Sequence, residues 1–175
     1  TERDSLPVMT TLGVTTLISD SGVTRYRVNT EEWMMYDRKK PSYWAFEKGV
    51  YMEQFDSIFN VEASIKADTA YYYDKERLWK LIGNVDIQNR KGERFNTELL
   101  YWNEATQKVY SDKFIRIQQP DRIITGHGFD SNQQMTIYTI RNIEGIFYVD
   151  EEASSGPPQP ETKALPDSVN KDTAK

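Results

Sequence analysis

The chain has 175 residues, 27 acidic against 22 basic, and no cysteine, for a formal net charge of −5. One core of this size is stable alone whereas two would each be marginal, and the acidic balance gives no sequence-wide attraction to phosphate, which argues against nucleic acid as a partner. The lack of cysteine removes a disulfide framework, a thiolate zinc site and a cysteine nucleophile.

Residues 1–12 read as a linker, and the sequence starts at Thr1 without a methionine or signal-like segment, as expected of a piece trimmed from something longer. No apolar run approaches the ~20 residues that span a bilayer. From residue 13 to residue 150 the pattern is that of one all-β domain: period-two alternation broken by turn residues at short intervals. Short strands fit 14–19 and 24–29. Segment 31–39 is the one tolerable helix candidate, although Trp33 and Met35 against Met34 and Tyr36 suit a strand equally well. Strands follow at 50–55 and 64–73. Then Leu81, Gly83, Val85 and Ile87 alternate with Ile82, Asn84, Asp86 and Gln88, a half-buried strand. A turn at 89–93 leads into Phe95, Thr97, Leu99 and Tyr101, the returning arm of a hairpin. After the polar loop 103–108 the chain returns through Val109, Ile115 and Ile117, turns at 119–122, and fits further strands at 123–125, 135–140 and 143–149.

All 22 aromatic residues lie between Tyr26 and Tyr148. Residues 151–175 form a polar tail: from Ala153 onward there are four prolines and no aromatic, so the tail cannot offset its ordering entropy and is expected to be disordered. The body also echoes itself at roughly 30 residues: Tyr72-Tyr73, a charged loop and Leu78-Trp79 resemble Tyr101-Trp102, a polar loop and Val109-Tyr110. Repeated hairpins of this kind suggest a sheet stacked or rolled along one axis.

Catalytic chemistry is thinly represented. His127, the only histidine, lies between Gly126 and Gly128 and is followed by Asp130 and Ser131. A triad needs its members held by separate rigid elements, and turn chemistry explains Gly-His-Gly without one. With no second histidine and no EF-hand spacing, no metal or other cofactor is expected. The aromatic cluster of Tyr71, Tyr72, Tyr73, Trp79, Tyr101, Trp102 and Tyr110 would suit a stacking platform for sugars or bases, or simply cross-strand packing. The second is preferred, since basic residues to hold phosphates beside stacked bases are lacking.

Several segments in order resemble the LptC family of periplasmic lipopolysaccharide-export proteins, which share an OstA-like β-fold. These are Trp44 to Tyr51, with its Phe46-Glu47-Lys48-Gly49-Val50 run; Ala67-Asp68 followed by Gly83-Asn84-Val85; Thr97 to Trp102 leading through Val109 to Asp112; and Ile123 to Phe129. The resemblance implies a twisted, partly open antiparallel β-jellyroll whose apolar interior receives the acyl chains of lipopolysaccharide. It implies a periplasmic protein tethered to the inner membrane by an N-terminal anchor upstream of Thr1. Such a protein takes lipid from the permease subunits of an inner-membrane ABC transporter and hands it to a periplasmic bridge jellyroll, without catalysing a reaction.

On that basis the rows Leu81, Val85 and Ile87, Leu99 and Tyr101, and Ile115 and Ile117 are expected to line a lipid-binding trough. The last strand, with Ile143, Gly145 and Phe147, is expected to be the partner-binding edge, Ile143 and Phe147 holding it to the core. Two other readings stand beside this one. The same side chains fill a closed core in a protein-binding adaptor, or the aromatic cluster serves a carbohydrate-binding or hydrolytic domain. The assignment of faces is sensitive to register, since a slip of one residue exchanges them.

Overall fold

The computed structural model describes residues 2–149. The expected tail 151–175 lies outside them. After a 3-10 turn at Glu2–Ser5, eleven strands follow: β1 (Met9–Asp20), β2 (Val23–Tyr36), β3 (Tyr43–Phe46), β4 (Val50–Phe55), β5 (Val61–Ala67), β6 (Thr69–Tyr73), β7 (Leu78–Asn89), β8 (Arg94–Asn103), β9 (Lys108–Gln118), β10 (Arg122–Asn132) and β11 (Tyr138–Tyr148). The stretch read as a linker therefore already contains the start of β1. The helix candidate at 31–39 is resolved in favour of strand, since β2 runs through Tyr36 and Trp33 and Met35 pair with Thr11 and Met9. Met135 falls in the turn before β11 rather than in a strand.

All pairings in the sheet are antiparallel. The strands make one sheet in the order β11-β10-β9-β8-β7-β5-β4-β2-β3-β6, with β1 on β2 and β6 also paired to β7. In effect it is a meander. β3 and β4 act as two halves of one broken strand along β2, and β5 and β6 as two halves of another along β7.

The breaks align. Gly13 in β1, Gly49 between β3 and β4, Gly83 in β7 and Gly128 in β10 all have positive φ, between 60° and 100°. Beside them lie Asp68, the register shift between Ile82 and Val85, that between Thr97 and Tyr101, and that between His127 and Phe129. Bulges of this kind bend a strand and tighten its twist. Gly83 shows why the residue type matters: its φ is +80°, and a Cβ there would lie 3.0 Å from Asp68 Oδ2.

Along this line the sheet folds back on itself. Tyr26 and Trp102 lie on strands four steps apart, which in a flat sheet is about 19 Å, yet their rings meet edge to face at 5.3 Å. One layer contains β4, β5 and the adjoining halves of β2 and β7–β10. The other contains β3, β6 and the remaining halves. The core between them includes Val28, Phe46, Met52, Trp79, Leu81, Val85, Ile87, Phe95, Leu100, Trp102, Ile115, Ile117 and Phe129, each at most 2 % exposed. β1 and β11 each pair on one side only, so the jellyroll-like body stays open at both edges.

Candidate functional site

The interior is an aromatic ladder faced by aliphatic rows. On the β3–β6 layer the rings step along the axis of the body from strand to strand. Trp33 stands 5.8 Å from Phe46, Phe46 5.5 Å from Trp79, and Trp79 6.4 Å from Trp102. Val28, Met52, Ile65, Val85, Ile87, Ile115 and Ile117 come from the opposite layer. Indole Nε1 of Trp79 donates to Glu104 at 2.8 Å, while those of Trp33 and Trp102 are buried without an acceptor among the described residues.

Of the residues expected to line a trough, Leu81, Val85, Ile87, Ile115 and Ile117 lie together in this interior at 0–1 % exposure. They pack as a filled core, not as an open channel. Leu99 and Tyr101 do not join them. Between Thr97 and Tyr101, β8 takes four steps while β9 takes five from Ile115 to Tyr110. The slip turns Leu100 and Trp102 inward, so Leu99 and Tyr101 fall on the outer face, where Tyr101 stacks on Tyr110 at 5.4 Å.

Opposite the bend, the strand tips of the two layers meet without any backbone ladder and are joined by two polar latches. In the first, Glu104, its side chain only 8 % exposed, accepts from Trp79 and from Tyr72 at 3.4 Å and stands 3.6 Å from Arg77. Tyr26, from the other layer, stands close enough to the same carboxylate for its charge to help push the phenol pKa up. In the second, Asn89 donates to the Met135 carbonyl at 2.8 Å and to Glu93, and Tyr138 donates to Glu93 and accepts from Gln119. Beside the first latch a polar cleft of about 310 Å³, lined by Arg25, Tyr26, Arg77, Glu104 and Gln133 among others, runs between the tips. Neither Glu93 nor Glu104 was distinguishable in the sequence from other acidic residues in turns, because their partners are distant along the chain.

Burial, reinforced by the neighbouring glutamates, pushes the Tyr72 and Tyr138 phenols up from 10 to about 12 and the Tyr26 phenol higher still. A phenol with a raised folded-state pKa contributes stability that is complete below its unfolded value and is lost as pH climbs through the folded one. Stability is therefore expected to fall steeply between about pH 10 and pH 12. Urea titrations across that range should show a shallower fall in a Tyr72→Phe, Tyr138→Phe double variant, and equal slopes would contradict the assignment.

His127 lies on the outer face. It pairs with Glu144, and the Phe114 ring meets it edge to face at 5.5 Å. Asp130 instead bonds Arg141 and Ser131 donates to the Asn132 carbonyl, so the three are not assembled into a triad.

β11 is exposed from Arg141 to Tyr148, apart from half-buried Gly145. Ile143 is 57 % and Phe147 60 % exposed, so neither holds the strand to the core as expected. A bulge opposite Thr125 and Gly126 inserts Glu144 and places the two on opposite faces: Ile143 pairs with buried Gly126, Phe147 with Ile123. Tyr138 and Ile140 make the contacts with the core instead. A Cβ on Gly145 would meet the tip of the Phe147 ring at 2.9 Å.

Residues 12–147 match the model of a protein family described as "Lipopolysaccharide-assembly, LptC-related". No curated protein matches the chain.

Proposed function

The chain belongs to the LptC-related family of lipopolysaccharide-assembly proteins, and from that premise we propose that it is a non-enzymatic transport subunit that shelters the acyl chains of lipopolysaccharide in its interior. It stands in the periplasm, at the inner membrane, between the permease subunits of an ABC transporter and a bridge jellyroll. The observation that carries this reading is the interior itself: apolar rows and an aromatic ladder run from strand to strand along the axis. Each methylene moved there from water gains about 0.8 kcal/mol. Because the interior is filled, the layers must part to admit a chain, and the latched tips are where side-chain hydrogen bonds rather than a backbone ladder join them.

Photo-crosslinking groups at Val85, Leu100 or Ile117 are expected to capture lipopolysaccharide, and groups at Asp86, Leu99 or Arg116 are not. Leu99 and Leu100 are the sharpest pair, being adjacent in sequence and on opposite faces. Equal labelling of both sets, or labelling of neither, would sink the lipid reading. The filled core favours the second reading, a protein-binding adaptor that takes no lipid, and labelling of neither set would support it.

We assign docking of the bridge protein to the β11 edge, where backbone groups are unpaired and strand addition is open. In Gly145→Arg the exposed Phe147 ring can swing aside, so the fold is expected to survive while docking falls about tenfold or more in a pull-down. Lipid capture at Val85 should persist. Deletion of residues 153–175 should change neither measurement. Undiminished docking by folded Gly145→Arg would rule out this edge, and docking lost on deletion would move the contact into the tail.

A further inference from the structure

Of the three tryptophans in the aromatic ladder, only Trp79 has an acceptor for its indole N–H among the described residues. Trp102 is 2 % exposed, and its N–H has no acceptor among the described residues. A buried, unpaired donor weakens a core, and native structures carry few of them. Packing alone does not require one, because Phe46 fills the neighbouring place in the same ladder with no polar atom. Trp102 also has a particular position. Tyr26 touches its ring at 5.3 Å and at the same time lines the polar cleft between the layer tips. Trp102 is thus an interior donor one ring away from the cleft.

Resting on the lipid-transfer reading, we infer that the Trp102 indole N–H is a docking point for an oxygen of the acyl chains, completed when the cargo enters. Acyl chains joined to an amino sugar carry their oxygens, as ester or amide carbonyls and as chain hydroxyls, close to the sugar and none farther out. A cargo held with its sugar at the cleft and its chains inside would bring those oxygens to the depth of Trp102. The apolar remainder of each chain would then lie along the ladder. The donor fixes how far the chain enters, since a hydrogen bond at one depth is lost if the chain slides by more than an ångström or two.

The test replaces Trp102 by benzothienylalanine, which keeps the bicyclic shape and puts sulfur where the N–H stands, and makes the same exchange at Trp79. Binding is measured for lipopolysaccharide and for two single-chain probes, N-tetradecanoylglucosamine and N-(3-hydroxytetradecanoyl)glucosamine. At Trp102 the free protein is expected to melt at or above the wild-type temperature, because no bond is lost. Affinity for lipopolysaccharide should fall about fivefold. Loss for both probes assigns the carbonyl, and loss for the hydroxylated probe alone assigns the hydroxyl. At Trp79 the free protein should melt lower, because Glu104 loses a donor. Unchanged affinity for all three ligands at Trp102, or a melting temperature lowered there as at Trp79, overturns the inference while leaving the lipid reading intact. Wild-type protein that binds none of the three overturns both.

Discussion

Replacing Glu104 with alanine is expected to lower the stability of the protein by about 3 kcal/mol, seen as a shift of the urea midpoint and a fall of roughly 10 °C in melting temperature. The carboxylate is nearly covered, accepts from the Trp79 indole and the Tyr72 phenol, stands beside Arg77 and faces the Tyr26 phenol of the other layer. Its removal leaves the fully buried indole N–H of Trp79 without an acceptor, and an unsatisfied buried donor costs about 1–3 kcal/mol. It also leaves the small space vacated by the side chain and takes away the polar neighbour of Tyr26, which then meets the other layer through the Trp102 ring. Relief from holding a charge in a partly desolvated place offsets some of this. Glu104→Gln retains the volume and one acceptor and should lose only about 1 kcal/mol. An alanine variant within 1 kcal/mol of wild type would show that the latch does not hold the layers.

Gly126→Ala is the second substitution with a large expected effect. Gly126 is buried between β9 and β11, and a Cβ there would lie 2.3 Å from the Asn142 carbonyl oxygen and 2.6 Å from Ile140 Cγ2. The first is backbone, so relief requires β11 to move as a strand. Overpacking of this kind costs about 1–3 kcal/mol, and here it should act at the upper end. The loss should also be local. Hydrogen exchange should accelerate through Tyr138–Tyr148 while β7, β8 and β9 keep their protection. Gly145→Ala, whose nearest obstacle is the end of an exposed ring, should change stability by less than about 0.5 kcal/mol. Equal protection of β11 in Gly126→Ala and wild type would show that the edge accommodates the methyl group.

The fold was largely legible because alternation and turn residues are local signals. The hairpins around Tyr72 and Trp79 and around Tyr101 and Tyr110 occur where the repeated motif placed them, with Tyr72 opposite Trp79 and Tyr101 opposite Tyr110. Face assignment succeeded where a strand stayed regular or its slip kept parity, as from Leu81 to Val85 and Ile87. It failed where one extra residue entered: Leu99 and Tyr101 gave way to Leu100 and Trp102, and Ile143 parted from Phe147. A bulge in one strand depends on the register of its neighbour, which alternation within a single strand does not reveal. The latches were hidden for a similar reason. Glu104 stands in a polar turn like any other, and only the fold-back brings Tyr26 to it.

The meander has a kinetic consequence. Each long strand, or broken pair of half-strands, pairs with its immediate neighbours in sequence, so most backbone ladders close over short loops. Folding rate falls as contacting residues lie farther apart along the chain. A body assembled hairpin upon hairpin should therefore fold faster than an all-β sandwich of equal length whose neighbouring strands are far apart in sequence. The contacts that must wait are those across the fold-back, between Tyr26 and Trp102 or Tyr26 and Glu104, which join residues more than seventy positions apart. Substitutions at these sites should mainly quicken unfolding and leave the rate of folding nearly unchanged.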